Sequence, residues 1–367
     1  MIKTTYSTSG VNYHQLDPVK ILAQKAGLNT SSHLKVKGLK EHKESRGESA
    51  YVIEGKDHYL AFVQEGLGTK NLVADSMGEV TGKTHYDTIA QDTVAMIVND
   101  LITVGAQPAV VQAYWAVGNS NWFANNKRTK DLVRGWKSAC EDAGATWGGG
   151  ETPTLKDVVY EDAIDLAGSA CGVISPKSQL VMGNTLKAGD TIVFFESSGI
   201  HANGITLARK IAKQLPNAYR TKLPSGKTYG DTLLTPTIIY AKLVNELQNH
   251  GIDFHYMVNI TGHGWRKLMR ARQNFTYMIN TIPPVQEIFQ FIQKHTRLSD
   301  KEMFETFNMG AGFAIFVAPK DKDSVMKIAQ KQKIKAYKAG TVMKGQKQVV
   351  IRPLNIIYTS ADLQIRQ

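Results

Sequence analysis

The chain has 367 residues, with 44 Lys and Arg against 32 Asp and Glu, so its net charge is +12 when histidine is neutral. This length fits two domains, and 42% hydrophobic with 21% charged residues excludes a wholly disordered chain. Two cysteines, Cys140 and Cys171, exclude a disulfide framework and a cysteine-rich zinc site. We expect a cytoplasmic protein with no membrane partner. The sequence starts with polar residues, and it has no run of roughly 18 apolar residues that could span a bilayer.

The positive charge is concentrated in two segments of the sequence. The second runs from Lys320 to Lys347, where lysines alternate with Val, Ile and Met, as is typical of a solvated face. The first is diluted by three glutamates, which favours a solvated surface over a phosphate-facing loop. Its basic members are Lys35, Lys37, Lys40, Lys43 and Arg46. The pattern therefore disfavours a nucleic-acid partner.

The first half of the chain reads as alternating helices and strands. Apolar spacing predicts helices at 13–27, 86–104 and 127–143, and strands at 50–54, 59–63, 109–117 and 163–174. A polar loop is expected at 28–50 and a turn at 65–70.

The composition changes between residues 175 and 190, so we place a domain boundary near 180, with domains at 1–180 and 181–367. The second half predicts strands at 191–195 and 311–318, and helices at 203–214 and 235–250. Strands mixed with helices in each half predict two α/β domains.

The helix at 86–104 carries polar side chains on an otherwise apolar element. Val94, Ile97, Val98 and Leu101 share one arc, and Asp92, Met96, Asn99 and Asp100 share the neighbouring arc. Carboxylate and amide oxygens beside a polyphosphate commonly hold Mg²⁺. The alternative is that Asp92 and Asp100 are solvated or capping residues.

Three glycine-containing segments are further candidates for ligand contact. The first segment is Glu65-Gly66-Leu-Gly68-Thr69-Lys70, whose backbone N–H groups and lysine could bind phosphate and whose Glu65 could bind Mg²⁺. The alternative is that this segment is a β-turn without a ligand. In Gly149-Gly150-Glu151 the backbone can approach a ligand closely, or the glycines form a tight loop. In residues 197–204, His201 can transfer a proton, and Asn203 lies at the start of a helix, where an anion is favoured. The alternative is that these residues only cap the helix and pack against it.

These segments, together with Ile260-Thr-Gly262 and Thr306-Phe-Asn-Met-Gly310, resemble in their order the aminoimidazole ribonucleotide (AIR) synthetase family, the phosphoribosylformylglycinamidine cyclo-ligases. The family's Asp-Gly-Val-Gly-Thr-Lys is Glu65–Lys70 here, and its Val-Asn-Asp-Leu is Val98–Leu101. The resemblance covers roughly residues 60–360, and the ordered set of motifs carries it rather than any one of them.

The resemblance implies an α/β (α+β) fold of two domains, ATP and Mg²⁺ as cofactors and a phosphorylated small-molecule substrate. It also implies a homodimer in which the N-terminal mixed sheets of two subunits form a barrel. By match, the catalytic residues are Lys70, a phosphate-site residue, and His201 and Asn203 on the substrate side, and Asp100 is a metal residue. The positions of Glu65 and Asp92 add them as further candidate metal residues. The nucleotide-binding residues are Gly66, Gly68, Thr69, Asn99, Asp100, Gly149, Gly150 and Glu151.

The sequence departs from the family at several positions. Glu65 replaces an aspartate, Tyr86 separates His85 from Asp87, and Lys35–Ser49 stands where the family has a glycine-rich loop. The expected activity is ATP-driven cyclisation of formylglycinamidine ribonucleotide to AIR. The alternatives are an ATP-dependent kinase or ligase for another phosphorylated metabolite, and a non-catalytic basic binding protein.

Overall fold

The computed structural model describes residues 13–363, which build two β-sheets and their helices. The first sheet has six strands in the order β1-β2-β3-β6-β4-β5, and all neighbours are antiparallel except β4 and β5. Its strands are β1 (Lys40–Glu41), β2 (Tyr51–Glu54), β3 (Tyr59–Gly66), β4 (Gln107–Val117), β5 (Thr146–Glu151) and β6 (Ile164–Ile174).

Four helices accompany the first sheet: α1 (Tyr13–Leu28), α2 (Asn71–Thr81), α3 (Tyr86–Leu101) and α4 (Asn126–Ala143). Helix α3 packs against β3 and β6, because its apolar arc meets the inward residues of those strands. Ile97 and Val98 are fully buried there with Ala61 and Leu166. The opposite face of the sheet carries Phe62, which is 38% exposed.

The second sheet has seven strands in the order β13-β12-β9-β11-β7-β10-β8. Its strands are β7 (Thr191–Glu196), β8 (Phe254–Asn259), β9 (Phe275–Ile279), β10 (Ala311–Val317), β11 (Ala336–Lys344), β12 (Gln348–Ile351) and β13 (Ile356–Thr359). The accompanying helices are α5 (Ile205–Ala212), α6 (Tyr229–Leu233), α7 (Ala241–Asn249), α8 (Glu287–Thr296), α9 (Asp300–Thr306) and α10 (Lys322–Lys331). Strands β7 and β10 are interior strands of this sheet, and β10 is buried along its whole length.

Most elements predicted from apolar spacing are confirmed, since the structure forms them within a few residues of the expected ends. The helix predicted at 235–250 is wrong over its first part, because α7 begins only at Ala241. The loop predicted at 28–50 contains β1 and two short 3-10 helices, Ser31–Lys37 and Lys43–Ser45. The mixed two-sheet fold is confirmed, whereas the boundary near residue 180 stays a prediction.

Residues 235–240 precede α7 as an extended segment that lies along α3 and joins the two halves of the molecule. Gln91 Nε2 donates to the carbonyl of Thr237 at 2.9 Å. Asn99 donates to the carbonyl of Ile238 at 2.8 Å and accepts from the N–H of Tyr240 at 3.0 Å. Pro236 disfavours helical backbone at Thr235, and side chains of α3 take the carbonyls of 237 and 238, which a longer helix would pair internally, so α7 begins late.

Over residues 13–363, the helices of the structure are all too short or too polar to traverse a lipid bilayer.

Candidate active site

A cleft of about 600 Å³ lies where the two halves of the molecule meet. Four parts of the chain line it: α1, the loop 46–49, the ends of β3 and α3, and turns that follow the strands of the second sheet. The ionisable side chains that line the cleft are Lys20, Arg46, Glu48, Glu65, Asp100, His263, Lys267 and Arg270.

Two carboxylates meet at the floor of the cleft because β3 and α3 end side by side. Glu65 is the last residue but one of β3, and Asp100 is the last but one of α3. Burial and the neighbouring Asp100 charge raise the pKa of Glu65 to about 7. Asn259 Nδ2 donates to Asp100 Oδ1 at 2.7 Å and fixes that carboxylate from the second sheet. The two carboxylates repel each other when both are ionised, and a bound cation would offset this repulsion.

Basic side chains face these acids from the 3-10 helix Gly264–Met269 and from the residue after it. Lys267 Nζ donates to Thr261 Oγ1 at 2.7 Å. Burial lowers the pKa of Lys267 to about 8, although Asp100 and Glu65 oppose this effect. Arg270 donates to the carbonyl of Gly47 at 2.9 Å and to Ser49 Oγ at 2.7 Å, and so holds the loop 46–49 against the cleft.

Sequence reasoning singled out the glycine-flanked turn at 259–264 but missed these two basic residues. Lys267 lies on the short helix that follows this turn, and Arg270 is the residue after that helix. Two basic residues within six positions of a glycine-flanked turn are the sequence signal that could have identified them.

Asn203 is the predicted catalytic residue that the structure places at the cleft. Its Oδ1 accepts a hydrogen bond from the N–H of Gly262 at 3.1 Å. Next to it, His263 Nε2 lies 3.3 Å from Asp17 Oδ2, which joins α1 to the same turn. Asn203, Glu65 and Asp100 are therefore the predicted side chains that this structure brings together.

Lys70 and Asp92 lie behind the cleft as a fully buried ion pair, with Nζ and Oδ2 2.7 Å apart. The Lys70 ammonium also donates to the carbonyls of His201 and Thr235, each at 2.9 Å. Its three N–H groups thus have protein partners, and the predicted phosphate contact has no donor left. Asp92 is likewise engaged away from the cleft, which corrects the expectation that it lies beside Glu65 as a metal residue.

His201 is also buried away from the cleft. The N–H of Ser198 donates to His201 Nε2 at 3.2 Å. Burial, with a contribution from the Lys70 charge, lowers the pKa of His201 to about 3, so the ring is neutral at neutral pH. A proton relay through His201 would need a conformation that brings its ring to the cleft.

Asn99, a predicted nucleotide-binding residue, contacts the second half of the chain in this structure. Both ends of its amide are used by residues 238 and 240, as described above, and the side chain is 1% exposed. Asn99 therefore fastens the second half of the chain to α3. These contacts use the oxygen and one N–H of the amide, and Asn99 is not among the residues that line the cleft.

The glycine segments lie at one end of the first sheet but at separate places along it. Gly66, Gly68 and Thr69 end β3 and lead into α2, and Thr69 Oγ1 lies 3.4 Å from Thr206 Oγ1. Gly149, Gly150 and Glu151 belong to edge strand β5 and not to a loop. Across the sheet, Glu65 pairs with Gly168, Gly168 with Ala113 and Ala113 with Gly150. Gly150 is therefore three strand spacings, or about 14 Å, from Glu65.

Over the described range 13–363, no three His, Cys, Asp or Glu side chains converge as a metal site would require. Glu65 and Asp100 form a pair instead. Mg²⁺ is commonly held by one or two carboxylates together with substrate phosphates, so this donor set fits a metal that arrives with a nucleotide.

Both halves of the chain are similar in sequence to known proteins. Residues 47–174 match the family "AIR synthase related protein, N-terminal domain", and residues 187–352 match the corresponding C-terminal domain. The phosphoribosylformylglycinamidine cyclo-ligase of Methanococcus vannielii is 34% identical over 92% of both chains. The enzyme of the same name from Methanocaldococcus jannaschii is 38% identical over 80% of this chain and 81% of that one.

Solved structures share the fold at low sequence identity. A chain of a HypE–HypF complex has a TM-score of 0.60 at 17% identity and covers 85% of this chain and 92% of its own. PurL of T. maritima, solved in complex with ATP, has a TM-score of 0.55 at 14% identity over 86% of this chain and 46% of its own. With both domains matched and relatives similar over most of their length, the chain belongs to the phosphoribosylformylglycinamidine cyclo-ligase family of AIR synthase related proteins.

Proposed function

We propose that the protein uses ATP to cyclise formylglycinamidine ribonucleotide to aminoimidazole ribonucleotide. The observation that carries the proposal is the cleft, where the carboxylates of Glu65 and Asp100 face Lys267 and Arg270. Paired carboxylates suit a nucleotide with its metal, and basic side chains suit the phosphates of two anionic substrates. The cyclo-ligase relatives and a fold relative solved with ATP support the same choice.

The proposed chemistry activates a poor electrophile. The formamide oxygen of the substrate attacks the γ-phosphorus of ATP, the bond to the β-phosphate oxygen breaks, and ADP leaves. The ribose-bearing amidine nitrogen then attacks the formyl carbon. The imidazole ring closes, phosphate leaves with the former formamide oxygen, and a proton is released from nitrogen. The sum is ATP plus substrate giving AIR, ADP, phosphate and a proton.

Catalysis of this kind depends mainly on positioning and on charge stabilisation. Glu65 and Asp100 would hold Mg²⁺, which supplies neutralisation of the nucleotide phosphates when it is bound. Lys267 and Arg270 would bind and orient anionic groups of the substrates, because both cations face the cleft. Asn203 would orient the substrate amide through its Nδ2, which lies 3.8 Å from Met96 Sδ in this structure, while the N–H of Gly262 holds its Oδ1.

We further propose that the protein is a homodimer that acts in the cytoplasm. The open face of the first sheet supports the dimer: Phe62, Gln64, Gln112, Ser169 and Cys171 line a shallow depression of about 550 Å³ without a charged side chain among them. An uncharged sheet face of this kind suits burial against a second copy. Pairing of two such faces would produce the barrel that the sequence resemblance implies.

An isotope experiment tests the proposed activity and its intermediate together. Substrate labelled with ¹⁸O at the formyl group is incubated with the protein and Mg-ATP, and the products are analysed by mass spectrometry. The proposal predicts AIR together with phosphate that carries the label. AIR with unlabelled phosphate would contradict the phosphorylated intermediate. ADP formation from another phosphorylated metabolite, without AIR, would instead indicate a related kinase or ligase.

A further inference from the structure

The strongest unexplained feature of the molecule is the buried ammonium of Lys70. This side chain is 0% exposed, and so is its partner Asp92. The two carbonyls that Lys70 holds, those of His201 and Thr235, both belong to the second half of the chain. Lys70 itself precedes α2 of the first half. One ammonium therefore fastens two separate segments across the junction between the halves.

Asp92 completes this junction from α3. Its Oδ2 pairs with Lys70, while its Oδ1 accepts a hydrogen bond of 2.8 Å from the N–H of Thr237 and another from the Thr237 hydroxyl. Ser198 Oγ donates to the carbonyl of Pro236 at 2.6 Å, which ties the segment 197–204 to the same stretch. Burying an ion pair is costly unless hydrogen bonds surround it, and here they do.

The segment 197–204 connects the Lys70–Asp92 ion pair with the cleft. His201 has φ of 57°, in the left-handed region that a residue with a side chain seldom adopts. Lys70 holds its carbonyl, and the N–H of Ser198 holds its ring, so both ends of the residue are restrained. Asn203 follows two residues later and reaches Gly262 at the cleft. The orientation of Asn203 thus depends on the backbone that Lys70 restrains.

We propose that Lys70 is a positioning residue: its ion pair with Asp92 fixes the carbonyl of His201 and thereby sets Asn203 in the cleft. The inference rests on the proposed function, since the role of Asn203 does. A positioning role and a phosphate contact predict different effects when Lys70 is replaced. Loss of a phosphate contact weakens ATP binding, whereas loss of a positioning contact leaves ATP binding intact and disturbs the segment 197–204.

The test compares Lys70→Met with the double variant Lys70→Met/Asp92→Asn. The single variant leaves Asp92 buried without its partner, while the double variant removes both charges at similar side-chain volume and keeps an acceptor for Thr237. Arginine is not a conservative replacement at this fully buried site, because its guanidinium is larger and planar. For the double variant we expect kcat to fall about 100-fold, as misplacement of a catalytic group does, with ATP affinity within about threefold of wild type.

Hydrogen exchange of peptides from 198–204 provides a readout that does not require activity. Exchange should rise in this segment in both variants, and peptides of the buried strand β10 should exchange as in wild type. Lys137→Met is the matched control, because Lys137 pairs with Glu141 on the exposed face of α4. This control should change neither exchange nor kcat.

The outcomes separate the two ideas. Unchanged exchange in 198–204, or ATP affinity lowered in parallel with kcat, would overturn the positioning role. A wild-type protein without cyclo-ligase activity would contradict the proposed function, and the positioning of Asn203 for it, while the exchange data would still report whether Lys70 holds the segment.

Discussion

Asn259 Nδ2 donates a 2.7 Å hydrogen bond to Asp100 Oδ1, and this contact joins the end of β8 to the end of α3. The acid at the floor of the cleft is therefore oriented by the second sheet, although it belongs to a helix of the first. Its geometry depends on both halves being docked. This relationship explains why a candidate site forms at the junction and not within either half.

Asp100→Asn should lower kcat at least about 100-fold, because a charged group at the cleft is lost while the side chain keeps its shape. The amide oxygen can still accept from Asn259, so the melting temperature should stay within a few degrees of wild type. Steady-state assays and thermal unfolding measure the two quantities. A variant that retains turnover would remove Asp100 from the machinery, and one that unfolds much earlier would make it structural.

Lys267→Met should raise the KM of at least one anionic substrate by about 10- to 100-fold, which corresponds to the loss of a hydrogen bond to a charged group. The physical reason is that Lys267 is a buried cation at the cleft, opposite Glu65 and Asp100. Substrate titrations give the KM values. Lys344→Met, on the exposed end of β11, is the control. An unchanged KM for both substrates would refute a binding role for Lys267.

Asn99→Leu should destabilise the protein by about 2–4 kcal/mol, because the buried carbonyl of Ile238 and N–H of Tyr240 lose their partner. Urea unfolding measures the loss, with Asn121→Leu at an exposed position as the control. If stability were retained and ATP affinity fell instead, Asn99 would be the nucleotide residue that its motif predicts.

His201 should make the stability of the protein sensitive to acid. Its folded pKa of about 3 lies below the value of about 6.5 for an unfolded chain, so only the unfolded state takes up a proton between these values. The free energy of unfolding should therefore fall by about 2 kcal/mol between pH 6.5 and pH 5 from this residue alone. His201→Gln should flatten the slope, whereas exposed His33→Gln should keep it. An equal slope in all three proteins would count against the buried neutral ring.

Phe62→Glu should convert the proposed dimer to monomers, because a charge would be placed on the uncharged face of the first sheet. Light scattering after size-exclusion chromatography should report twice the mass of one chain for wild type and a single chain for the variant. Val80→Glu, at an exposed position of α2, is the control. A monomeric wild type would refute the proposed assembly.

The fold could be predicted largely from apolar periodicity, as α3 illustrates. Its apolar arc packs on β3 and β6, and its polar arc faces the junction. Asp92 and Asp100 occupy the same arc of one helix but different environments, one paired with Lys70 and one at the cleft. The spacing of residues along a helix determines only the side of the helix on which a side chain lies. The partner of a carboxylate comes from a distant part of the chain.

The same limit explains why the sequence did not reveal the protein contacts of Lys70 and Asn99. Lys70 and Asn99 have motif neighbours typical of ligand contact, yet backbone groups at 201, 235, 238 and 240 take their hydrogen bonds. Those partners are more than 130 residues away, and a carbonyl or an N–H leaves no mark in the sequence. Glu65 and Asn203 could be found because a turn and a helix start place them at the cleft.

The most direct test of the account measures ADP and AIR in the same reaction, with purified protein, Mg-ATP and formylglycinamidine ribonucleotide. We expect equal amounts of the two products, ADP release that requires the ribonucleotide, and loss of both products in Asp100→Asn. ADP release that is indifferent to this substrate, or ADP without AIR, would contradict it.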